Sequence, residues 1–102
     1  MKIEKDLLFY MANFDPEINR MDKAYRENNK EKFVLFKNKS LLVLNKILES
    51  KELKGAGKEE WFTIRNIVEG YEQATPYMQK ITCSFGIPFS EKFARRLTSL
   101  TM

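Results

Sequence analysis

Glycine and proline punctuate this chain sparsely, and that sparsity limits its folds more than any other feature. Four glycines and three prolines serve 102 residues. A β-sandwich or barrel needs turn-makers at roughly every 8–12 residues, so these classes are disfavoured. Two of the prolines follow a residue suited to capping a helix, in Asp15-Pro16-Glu17 and Thr75-Pro76. A capping oxygen followed by a ring already set at helical φ is a helix start signal. The expected class is all-α, a compact bundle of five to six short helices in a single domain over 1–102, possibly arranged as two helical hairpins.

Apolar spacing divides the chain into those helices. Ile3, Leu7, Tyr10, Met11 and Phe14 recur at helical intervals, predicting a first helix over 2–13. A second is expected to start at Asp15-Pro16, carry Ile18, Met21 and Tyr25, and close at Asn28-Asn29. Lys54-Gly55-Ala56-Gly57-Lys58 is the clearest break. A helix from Lys58 to about Gln73 follows, with Trp61, Ile64, Val68 and Tyr71 as its stripe and Glu59 and Glu60 near the positive end of its dipole. Thr75-Pro76 starts a helix with Tyr77, Met78, Ile81 and Phe85 as its apolar residues, closed by a left-handed Gly86. Ile87-Pro88-Phe89 reads as an extended link into a last helix with Phe93, Ala94, Leu97 and Leu100.

The segment 30–50 has two readings. Phe33, Phe36, Ser40, Leu44 and Ile47 share a helical face, while Phe33-Val34-Leu35-Phe36 and Leu41-Leu42-Val43-Leu44 could pair as a hairpin. Short apolar runs do not decide this by periodicity. The intervening Lys37-Asn38-Lys39-Ser40 lacks hairpin turn chemistry, and the strands would be leucine-rich. Helix is the preferred reading.

Chemistry is constrained by what is missing. The chain has no histidine, the commonest general base and metal ligand, and one cysteine. Cys83 has no imidazole to activate it and lies among apolar neighbours, so it reads as a small core residue. A disulfide within the chain is impossible and a multi-cysteine zinc site is excluded. Glu69 and Glu72 read as surface acids, and Gly55-Ala56-Gly57-Lys58 as a hinge, since Glu59 stands where a phosphate loop needs Ser or Thr. No catalytic residue, metal or cofactor is expected, and the chain is expected not to be an enzyme. The acids in Met-Lys-Ile-Glu-Lys-Asp and the short apolar runs imply neither signal peptide nor membrane span, and point to a cytoplasmic, intracellular protein.

Two binding surfaces stand out. The net charge is +4, with basic residues concentrated in 28–54 and 73–102 around an acidic 58–72. The first basic block holds lysines but no arginine, which suits a solvated face. The second resembles a helix-turn-helix: helix, a Phe85-Gly86-Ile87 corner, then a helix with Lys92, Arg95 and Arg96. That resemblance implies nucleic-acid contacts from Lys80, Lys92, Arg95 and Arg96. It departs from the pattern at Thr82, where a small residue is usual, and at Pro88 in the corner. Aromatics make up 13% of the chain, more than one small core readily hides. Phe62 falls off the Trp61 stripe beside Arg65, and these two are the expected protein-interface residues. The sequence therefore points first to a protein–protein interaction or regulatory module, acting on a partner or as a homo-oligomer. A small nucleic-acid-binding regulator is the alternative.

Overall fold

The computed structural model describes residues 5–101, with side chains placed for 5–99. Their elements are α1 (Leu7–Arg26), α2 (Lys30–Glu49), α3 (Gly55–Glu69), a 3₁₀ turn at Tyr71–Gln73, α4 (Pro76–Phe85) and α5 (Ile87–Thr101). The described residues contain helices and no strands, and none of the helices is long and apolar enough to cross a membrane.

The two expected N-terminal helices are one. Asp6 caps α1, accepting from the Phe9 amide at 3.1 Å, and Pro16 sits inside the helix. Proline in a helix interior costs about 3 kcal/mol. Met11, Phe14, Ile18 and Met21 nevertheless keep one register through Pro16, and all four are buried. At roughly 1.5–3 kcal/mol per buried large side chain, the shared stripe outweighs the proline, which faces solvent. The expected start at residue 2, with Ile3 in the stripe, lies outside the described residues.

Segment 30–50 is helical, as preferred from its sequence. Asn29 caps α2 by accepting from the Lys32 amide at 3.1 Å, and Phe33, Ser40, Leu44 and Ile47 are its buried face. With 20 residues each, α1 and α2 are long rather than short, and they make the most extensive helix–helix contact. Next to the connection between them, Tyr25 and Phe33 bring their rings to 5.6 Å.

The break before α3 falls earlier than expected. Ser50 ends α2, Leu53 is buried, and Gly55, with φ +61°, is already the first residue of α3. Glu59 and Glu60 therefore miss the first turn, and Tyr71–Gln73 is a separate 3₁₀ turn. The expected stripe of Trp61, Ile64, Val68 and Tyr71 is buried. Trp61 is the hub of the core: its ring meets Phe14 of α1 at 5.4 Å, Phe85 of α4 at 4.7 Å and Phe89 of α5 at 5.3 Å.

Thr75 and Pro76 start α4 as expected, Thr75 accepting from the Met78 amide at 3.1 Å. Gly86, however, is right-handed (φ −82°), and Ile87-Pro88-Phe89 form the first turn of α5 rather than an extended link. The corner needs glycine for space. A Cβ on Gly86 would lie 3.0–3.1 Å from the backbone N, Cα and Cβ of Asp15, where α1 crosses it. Gly86→Ala should therefore lower stability by about 1–2 kcal/mol, because overpacking against backbone exceeds the helix-propensity gain of alanine. A lower denaturant midpoint at unchanged slope would confirm this, and an unchanged or higher midpoint would refute it.

Candidate interaction site

Helix α4 lies with its apolar side outward. Tyr77, Met78 and Ile81, which the sequence gives as apolar residues of this helix, are exposed, at 72%, 39% and 38%. The buried positions are Gln79 (3%) and Thr82 (0%), with Cys83 half-buried between the helix and the 3₁₀ turn. Phe85 is half-buried, as its contact with Trp61 requires.

A polar cluster fixes this orientation. The Tyr71 hydroxyl donates to Asp22 Oδ1 at 2.5 Å, within the range of charge-assisted O–H···O⁻ bonds. That bond uses the phenol's only proton, so the Cys83 thiol, 3.3 Å away, donates to the Tyr71 oxygen. Gln79 Nε2 donates to the Tyr71 carbonyl at 2.8 Å, and Arg26 donates to Gln79 Oε1 at 2.9 Å. Arg26 also lies 3.3 Å from Asp22. From α1, Asn19 donates to the Cys83 carbonyl at 3.2 Å. Thr82 satisfies its hydroxyl on the Met78 carbonyl at 2.8 Å. Each buried polar side chain of this cluster thus has a partner, so burying them is tolerable. Burial pushes the Tyr71 phenol upward, with acceptance by Asp22 adding to it, and burial likewise pushes the Cys83 thiol up. Cys83 is thereby held as a protonated thiol, half-buried and packed against the core as its sequence neighbours suggest, with the Tyr71 oxygen as an added polar partner.

The four cations expected to act together are divided. Lys92, Arg95 and Arg96 line one cleft between α1 and α5, which Lys80, exposed on α4, does not reach. Arg96 is occupied: its Nη1 lies 3.1 Å from both oxygens of Asp6, and its guanidinium stacks 5.7 Å from the Phe93 ring centre. A helix-turn-helix corner packs its two helices on each other. Here α4 packs chiefly on α1 and α3 and α5 chiefly on α1, and the two helices meet only near the corner, where the Phe85 and Phe89 rings lie 6.0 Å apart. In the lysine-rich block, Lys37 is half-buried and donates to the Glu69 carbonyl at 2.7 Å, closing the end of α3 rather than joining a solvated face.

Phe62 is exposed at 49%, as its off-stripe position predicts. Its neighbours one turn away on α3 are Lys58, Glu59, Arg65 and Asn66, so it stands alone among polar side chains on that helix. Arg65 is half-buried and pairs with Glu69 at 3.3 Å. Sequence reasoning missed the α4 face because it followed apolar residues. The signal lay in Gln79, Thr82, Cys83 and Gly86, whose i, i+3, i+4, i+7 spacing is the buried stripe. Among the described residues, no group of three or more Cys, Asp and Glu side chains is arranged to hold a metal ion. No family model, curated protein or solved structure matches the chain.

Two expected outcomes test this geometry. Tyr71→Phe should cost about 1.5–3 kcal/mol in chemical denaturation, the range for a hydrogen bond to a charged group. A loss below about 0.5 kcal/mol would mean that the cluster does not hold α4. For Asp6, the hydrogen bond from Arg96 holds the carboxyl below its ordinary value of 3.8. The unfolded chain then takes up this proton first, so the contribution is present above pH 3.8 and lost as pH falls through the lower folded value. Arg96→Gln should be less stable than the parent at neutral pH, with the gap closing in acid. A gap independent of pH would exclude the Asp6 pairing as its source.

Proposed function

We propose that this chain is a non-enzymatic protein–protein interaction module that offers the outer face of α4 to a protein partner. The observation that carries this reading is the reversed amphipathicity of α4: Tyr77, Met78 and Ile81 outside, Gln79 and Thr82 inside. Three large apolar side chains within one and a half turns make a contiguous patch rather than scattered exposed residues. Tyrosine and methionine are also residue types enriched at protein interfaces, and methionine adapts its shape to a partner. The alternative of nucleic-acid binding draws less support, because Arg96 is spent on Asp6 and Lys80 is separated from the other cations.

The test is a photo-crosslinking amino acid placed at position 77 in cells that make the protein naturally, with position 59 as control. A discrete protein adduct is expected at 77, absent at 59, and lost when Met78→Glu and Ile81→Glu are combined. Those exposed positions should change stability by about 1 kcal/mol or less, so loss of the adduct would report the surface and not unfolding. Absence of any adduct at 77, or an adduct that survives the double substitution, would rule the reading out. Sedimentation of the purified protein then separates a second copy of the chain from a different partner.

A further inference from the structure

The geometry points to a second binding site, the cleft between α1 and α5, whose ligand is a protein segment bearing an apolar side chain flanked by carboxylates. The cleft measures about 470 Å³, a size typical of ligand-binding clefts. Its floor is apolar: Leu7, Leu8 and Met11 from α1, and Pro88 and Phe89 from α5. Its other five lining residues are charged. Arg96 is neutralised by Asp6, and Glu52 comes from the connection between α2 and α3. Lys92 and Arg95 are exposed, and neither forms an ion pair among the described residues. They occupy positions three apart on α5, which places them side by side on the helix surface.

Two available cations beside an apolar floor complement an anionic amphiphilic segment. The floor takes the apolar side chain, and Lys92 and Arg95 take carboxylates at the edge. A nucleic acid fits less well. Its affinity rests on many phosphate contacts, whereas this cleft offers two available cations. None of Tyr77, Met78 or Ile81 lines the cleft, so the inference stands independently of the α4 face.

The experiment is an NMR titration of the ¹⁵N-labelled protein with a capped twelve-residue peptide, Leu-Glu-Glu-Leu repeated three times. Its neutral counterpart, with Gln in place of Glu, serves as control. The acidic peptide should shift the amides of Leu7, Leu8, Phe89, Lys92 and Arg95, with a Kd in the micromolar range. The neutral peptide should bind about tenfold more weakly, and Lys92→Glu with Arg95→Glu should weaken the acidic peptide about as much. Added salt should weaken binding as well. Met78→Glu with Ile81→Glu should leave the titration unchanged, which separates failure of this site from failure of the α4 face. No shifts at the cleft, equal binding of the neutral peptide, or indifference to the charge reversal would each overturn the inference. So would a double-stranded oligonucleotide that shifts these amides when the acidic peptide does not.

Discussion

The short bond between the Tyr71 hydroxyl and Asp22 organises the part of this protein built from α1, the 3₁₀ turn and α4. Tyr71 is fully buried, and a buried phenol without an acceptor would be costly. Asp22 supplies that acceptor from α1, and the Tyr71 carbonyl in turn receives Gln79 of α4. The 3₁₀ turn therefore works as a clip: its side chain is fastened to α1 and its backbone to α4. Arg26 closes the circuit by reaching both Asp22 and Gln79. Because hydrogen bonds specify direction where apolar contact does not, this cluster sets which side of α4 looks inward.

Aromatic packing supplies the complementary constraint along the helix. Trp61 is in contact with rings from α1, α4 and α5, and the Phe85 and Phe89 rings it holds lie on either side of Gly86. The α4–α5 junction is thus pressed onto α1 at Asp15, where there is no room for a Cβ on Gly86. One anchor is polar and near the start of α4, and the other is aromatic and at its end. Together they fix both rotation and tilt, leaving Tyr77, Met78 and Ile81 no route into the core.

How much of this was legible depended on whether apolar burial or polar pairing decided each element. The α3 stripe was readable because Trp61, Ile64, Val68 and Tyr71 are buried for their apolar surface. Helicity of 30–50 was readable because Phe33, Ser40, Leu44 and Ile47 recur on one face. Asp15-Pro16 misled because its local start signal competes with a stripe that runs through it, and tertiary burial won. The α4 orientation was hard to read for a different reason. Its inward stripe, Gln79, Thr82, Cys83 and Gly86, has helical spacing but is small and polar, and what makes it the inward face is pairing with partners 8 and 53 residues from Gln79 in the chain. Of the expected site residues, exposed Phe62 was legible from its off-stripe position. The division of the basic residues was not, since it depends on Arg96 meeting Asp6, 90 positions away.

The energetics of α4 bear directly on the proposed interaction face. Tyr77 is 72% exposed and Met78 and Ile81 are 39% and 38% exposed, so the face forgoes the corresponding fractions of the roughly 1.5–3 kcal/mol that full burial of each side chain would contribute. Even a few kcal/mol matters against the roughly 5–15 kcal/mol by which domains are typically stable. A sequence with leucine or valine in place of Gln79 and Thr82, and polar residues at 77, 78 and 81, would avoid the loss while keeping a helix of the same length. The polar cluster does not recover that difference on its own, because a typical intramolecular hydrogen bond contributes only about 0.5–1.5 kcal/mol net. The arrangement is therefore suboptimal for the isolated chain. On the proposed reading, a partner's apolar surface over Tyr77, Met78 and Ile81 would supply the burial that folding alone leaves undone, without disturbing the contacts that hold α4 in place.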